Sequence, residues 1–208
     1  MMMLRRVISA LLLFTATTTL LGGCESSMPA RTGFLGDYSK LEQHSGTSYR
    51  YLSPDNRLGD YHSFIIDPVS TYTHHGDLSK MELSEVGELT AYLQDALASA
   101  ISDKYPVVRT PGPGVARLRA AITDVKRSTW WLNIHPGTKL MGAGTGSAAL
   151  EAELIDSATG EQVAALVESQ KGNQFELDTF SKLDDVKDVM DDWAKRFRER
   201  LDEAHGNP

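Results

Sequence analysis

The 208-residue chain carries a single thiol, Cys24. One cysteine excludes an internal disulfide and any zinc site built on cysteine pairs. Gly142-Ala143-Gly144-Thr145-Gly146-Ser147 alternates glycines that could turn backbone N–H groups toward a phosphate. Nucleotide-binding fingerprints lie between a strand and a helix, whereas these glycines lead into a strand-like segment, so a connecting loop is the better reading. His74-His75-Gly76-Asp77, with His62 earlier, has the chemistry of metal ligands. Adjacent histidines on extended backbone point apart, and the i,i+4 spacing of helical zinc motifs is missing, so a solvated loop is expected and no metal. No Gly-x-Ser-x-Gly elbow occurs, and neither a catalytic residue nor a cofactor is expected. Trp130-Trp131, within Thr129–Gly137, falls outside every amphipathic pattern. Either one ring caps the core, or the pair is an aromatic contact for a partner, substrate or membrane.

The context of Cys24 gives it a role. Met1 to Arg6 is a short basic start, Val7 to Phe14 is apolar, and a Thr/Ala stretch leads to Leu21-Gly22-Gly23-Cys24. That is the order of a secretory signal, with an apolar run too short to span a bilayer as a helix. A leucine, two small residues and a cysteine in that place resemble the lipobox of bacterial lipoproteins. In that class the thiol is alkylated by diacylglycerol, cleavage precedes the cysteine, and the new amine is acylated. Two or three chains give stable anchoring where one would not. Glu25 stands where an inner-membrane retention signal would place Asp, so an outer-membrane anchor is expected, with the domain in the periplasm. The chain divides accordingly into a signal peptide (1–23), a lipidated tether (24–33) and a single periplasmic domain (34–205).

Composition agrees with one folded domain. Hydrophobic residues make up 41 % and charged residues 24 %, with 21 basic against 28 acidic residues and a net charge of −7. Loss of residues 1–23 removes Arg5 and Arg6 and leaves 185 residues of net charge −9. So acidic a body excludes nucleic acid as a partner on simple electrostatics.

The elements that must position these groups follow from periodicity. Phe34 to Tyr61 reads as irregular but aromatic-rich, so it packs against the domain; His62 to Pro68 reads as a short buried strand. Ser84 is a candidate N-cap for a helix in which Val86, Leu89, Leu93, Leu97 and Ile101 recur up to Lys104. Ala116, Leu118, Ala120 and Ile122 alternate with Arg117, Arg119 and Thr123, as in a half-buried strand. Ala148, Leu150, Ala152 and Leu154 alternate with Glu151 and Glu153, and a hairpin at Asp156–Glu161 returns through Val163, Ala165 and Val167. Arginines on one strand and glutamates on the next predict cross-strand ion pairs on a solvated face, each worth about a few tenths of a kcal/mol. A last helix from about Ser181 to Ala204 carries Leu183, Val186, Val189, Trp193, Phe197 and Leu201 on one stripe. Its Asp191–Lys195 and Asp192–Arg196 spacings suit i,i+4 pairs. The expected fold is α+β: a mainly antiparallel sheet of about four strands with two helices packed on one face.

Gly33-Phe34-Leu35, Asp37 to Leu41, Pro111-Gly112-Pro113-Gly114 leading into Leu118 to Asp124, and Glu151 to Asp156 with Thr159-Gly160-Glu161 together resemble a proteobacterial lipoprotein family, domain of unknown function 3313. The resemblance implies an envelope location and brings no reaction and no catalytic residues. The functional expectation is a non-catalytic, membrane-anchored module that binds an envelope protein. The alternatives are a periplasmic binding protein for a small amphiphile or glycan, or an envelope hydrolase.

Overall fold

A computed structural model describes residues 31–55, 57–72, 81–126, 147–171 and 183–206. In chain order the elements are β1 (Glu42–Ser45), β2 (Ser48–Leu52), a 3-10 turn (Arg57–Asp60), β3 (Ser63–Ile66), β4 (Ser70–Thr71), α1 (Leu83–Ile101), β5 (Val115–Lys126), β6 (Ser147–Asp156), β7 (Gln162–Lys171) and α2 (Asp184–Ala204).

The alternating segments form the centre of the sheet: β5, β6 and β7 pair antiparallel in sequence order. The β6–β7 turn has Gly160 at φ 76°, while the Asp156 carboxylate accepts the N–H groups of Ala158 and Thr159, both at 2.9 Å. An aspartate that closes the turn and a glycine free to adopt positive φ are what so tight a reversal requires.

The sheet is larger than the four mainly antiparallel strands expected. Among the described residues it has seven strands, in the order β1-β2-β7-β6-β5-β3, with β4 also paired to β5. β3 and β4 run parallel to β5, because α1 crosses over between them and returns the chain in the same direction. With four and two residues, these strands are too short to display a period. β1 and β2 form a hairpin on the other edge, inside the stretch that reads as irregular.

Both helices do cover one face. Leu89, Leu93, Leu97 and Ile101 of α1 meet Val186, Val189, Met190, Trp193 and Leu201 of α2 over Ala116, Leu118, Ile122, Leu150 and Leu154. Glu82, rather than Ser84, caps α1, in a reciprocal capping box with Glu85. Two tyrosines fasten the helices together: Tyr92 donates to Asp191 at 2.8 Å, and Tyr105 donates to Asp202 at 2.7 Å. The Asp192–Arg196 pair forms at 3.0 Å. Lys195 instead reaches Glu199 at 3.8 Å, since Asp191 is engaged by Tyr92. The 3-10 turn packs so closely on the end of α2 that a Cβ at Gly59 would lie 2.7 Å from the Ala204 carbonyl oxygen.

The opposite face is largely covered rather than open to water. Residues 31–41 lie across it, and Leu35, Ala165 and Val167 form a small second core with Phe34, Tyr38, Leu41, Tyr49 and Tyr51 around it. The molecule therefore has three layers: helices, sheet and an N-terminal strap.

Candidate functional site

Cys24, Trp130 and Trp131 lie outside the described residues, as do His74-His75-Gly76-Asp77 and the glycine run up to Gly146. His62 is exposed, and its ring lies 5.2 Å from that of His205. Among the described residues no group of three or more His, Cys, Asp or Glu side chains is arranged to hold a metal ion.

The most distinctive polar arrangement is one the alternation placed in water. Glu151 and Glu153, two apart on β6 and therefore on the same face, are 0 % and 2 % exposed. Burying a carboxylate without partners is costly, so each must be matched by donors. Glu151 accepts the N–H of Thr32 at 2.8 Å and the hydroxyl of Tyr38. Glu153 accepts the Arg119 guanidinium, the N–H of Gly36 at 3.1 Å and the side-chain amide of Gln162 at 2.9 Å.

Arg119 and Glu153 are direct cross-strand neighbours. The expected ion pair therefore exists, but its glutamate is buried under a layer that the strand pattern did not disclose, while the Arg119 side chain stays 37 % exposed. The Tyr38 hydroxyl in turn accepts the N–H groups of Gly33 and Leu35 at 2.8 and 3.1 Å. Burial and the Glu151 carboxylate push the Tyr38 phenol up, which keeps it a donor. Arg119 also lies 5.0 Å above the Phe34 ring.

These contacts make a clamp. Four strap amides, at Thr32, Gly33, Leu35 and Gly36, are held by side chains rather than by a strand partner. The carboxylates are occupied by donors, so the arrangement holds a segment in place and leaves no oxygen aimed at a substrate. The Glu-Ala-Glu sequence of a central strand, read beside an aromatic segment in need of a surface, is the signal that could have revealed it.

The helix layer offers a different surface. An open groove runs between α1 and α2, with Ala96, Ala100 and Ala194 on its floor and Asp191, Lys195 and Arg198 at its rim. At its lower end Asp202 accepts from Lys104, Tyr105 and Arg198, each at 2.7 Å, which holds its carboxyl well below the usual range. No helix among the described residues is long and apolar enough to cross a membrane.

Among solved structures, the chain is similar to two crystal forms of the PelC dodecamer from Paraburkholderia phytofirmans. They are 14 % and 13 % identical, with TM-scores of 0.45 and 0.43 over 74 % of this chain and 95 % and 96 % of theirs. A likeness that faint transfers neither activity nor assembly. Among curated proteins, the chain is 27 % identical over 194 residues to the uncharacterized lipoprotein YdcL of Escherichia coli, covering 84 % of this chain and 87 % of that one. Residues 30–197, which take in the strap, the whole sheet and most of α2, match the family described as Protein of unknown function (DUF3313), and the chain belongs to that family.

Proposed function

We propose that the chain is an outer-membrane lipoprotein, anchored through acyl chains on Cys24, that serves as a non-catalytic binding or adaptor module for another envelope protein. The observation that carries this reading is the clamp on the strap. Eight residues after Cys24 the chain is held by Glu151 and Glu153 against the central sheet, so an anchor at Cys24 would be joined to a firmly seated domain through a short segment. Rigid placement of a surface is what an adaptor requires, since a preorganised partner loses less freedom on binding. The lipobox-like Leu21-Gly22-Gly23-Cys24 and the lipoprotein relative support the anchor. The partner contact is assigned to Trp130 and Trp131.

A photoreactive residue at position 131, in cells carrying either Cys24 or Cys24→Ala, tests both parts. The expected result is one discrete protein adduct in the membrane fraction. With Cys24→Ala the chain should leave that fraction, lose labelling by a palmitate analogue, and lose the adduct. Continued acyl labelling of the Cys24→Ala chain would overturn the anchor. An adduct to a small amphiphile or glycan alone would replace the adaptor reading with a ligand-binding one.

A further inference from the structure

We propose that the strap layer is the membrane-facing surface of the domain, resting on the anionic phospholipid headgroups of the bilayer that holds the anchor, with the helix layer turned away. This rests on the Cys24 anchor and adds an orientation to it.

Chain length is the first argument. Thr32 is the first residue whose amide is clamped, and eight residue steps separate it from Cys24. Fully extended, that stretch spans at most about 28 Å. The domain is therefore held close to the bilayer, and the chain enters it on the strap face.

Charge is the second argument, because its distribution is lopsided. Residues 82–104 and 184–204, the helix layer, contain thirteen carboxylates against six cations. Residues 31–41, the strap itself, contain two cations, Arg31 and Lys40, against one carboxylate, Asp37, while Arg50 of β2 alternates away from Tyr49 and Tyr51 toward Glu168 and Arg196 on the helix side. Near an anionic surface the field acts within about a Debye length, roughly 8 Å at physiological salt, so the face nearest the lipid decides the outcome. The helix layer is repelled there and the strap layer is not.

The third argument is chemical. Tyr49 and Tyr51 are half-buried on the strap face, and Tyr72, 42 % exposed, lies 5.9 Å from Phe34, whereas the Tyr38 hydroxyl points inward into the clamp. Cations sit over these rings: Arg31 at 5.9 Å from Tyr38 and Lys40 at 5.1 Å from Tyr51. Rings with one apolar and one polar end, beside arginine and lysine, are the side chains that partition to the headgroup region.

The test uses the full lipidated chain in vesicles of phosphatidylethanolamine and phosphatidylglycerol. With the Cys24 sulfur in a thioether, Ser39→Cys in the strap and Glu199→Cys on α2 each provide one free thiol for a fluorophore; both positions are exposed. Quenching by a lipid with a nitroxide headgroup should be severalfold stronger at position 39 than at 199. Replacing Arg31 and Lys40 together by Glu should abolish most of that contrast. Equal quenching at the two positions, or stronger quenching at 199, would overturn the orientation while leaving the anchor intact. A contrast untouched by the double charge reversal would overturn the headgroup contact. Concentration-dependent self-quenching at position 39 would identify a second copy as the occupant and overturn it as well. Vesicle flotation of the same samples separates the two readings, since a chain that fails to float overturns the anchor and the orientation together.

Discussion

The two faces of the central sheet are buried by opposite means. Toward the helices, Phe64, Leu89, Ile122 and Met190 are all 0 % exposed, and the layer is held by contact area. Toward the strap, the dominant fixed points are two carboxylates and five donors. Apolar burial is non-directional and tolerates repacking, whereas a buried carboxylate needs particular donors at particular positions. The helix face therefore supplies stability, and the strap face supplies registry: it fixes which residue after the anchor lies over which residue of β6.

That contrast breaks most visibly at Phe64. Its ring packs edge-on against Tyr105 and Phe197, with centroids 5.9 Å away in each case. Phe64→Ala leaves a cavity among rigid neighbours and should lower unfolding stability by about 3–5 kcal/mol in denaturant titration. Amide exchange should accelerate through β5, β6, β7 and the strap together, because loss of the main core opens the whole domain. An effect confined to the helices would mean that the sheet is stabilised elsewhere.

A smaller loss is expected from Glu151→Gln. The amide keeps the shape of the side chain but turns a donor toward either Thr32 N–H or the Tyr38 hydroxyl, leaving one buried donor unmatched at a cost of about 1–3 kcal/mol. Exchange should accelerate at Thr32, Gly33, Leu35 and Gly36 while β5 and β7 keep their protection. If the sheet loses protection in parallel, strap and sheet are one cooperative unit, and the division of labour between the faces fails.

The helix face was legible in the sequence because its signals are periodic. Leu89-Leu93-Leu97-Ile101 has the helical repeat, and Ala116-Leu118-Ala120-Ile122 has the strand repeat; the structure buries both sets. Two features escaped for physical reasons. The strand expected over His62 to Pro68 exists as β3, but its parallel pairing with β5 did not show, because a parallel pair leaves no local turn to betray it, and β4, with two residues, is too short for a repeat. The strap escaped because alternation shows only that Glu151 and Glu153 lie opposite the core, not whether water or protein meets them there. That depends on contacts more than a hundred residues apart in sequence, such as Thr32 with Glu151. The aromatic content of residues 34–61 pointed to packing, but it named no surface. The site residues chosen from sequence, Cys24, Trp130 and Trp131, lie outside the described residues, and their roles rest on chemistry and position along the chain.

The smallest effect is invisible at neutral pH. Tyr61, Tyr92 and Tyr105 are each pushed up to about 12, first by burial and then by donating to Asp156, Asp191 and Asp202. All three lie on the helix side or at its edge, where they tie the turn to the β6–β7 hairpin and α1 to α2. An unfolded tyrosine loses its proton near 10, so between pH 10 and about 12 the folded chain keeps protons that the unfolded chain has released. The stability these groups contribute is complete below pH 10 and declines as pH rises toward 12. Unfolding free energy should thus be level up to pH 10 and then fall, and tyrosinate absorbance should report Tyr61, Tyr92 and Tyr105, together with the clamped Tyr38, ionising later than an unfolded tyrosine. Tyr105→Phe should make that fall shallower. Ionisation of Tyr61, Tyr92 and Tyr105 near 10, with stability unchanged, would show that these three hydrogen bonds add nothing on the helix side, and the contrast between the two faces would then be complete.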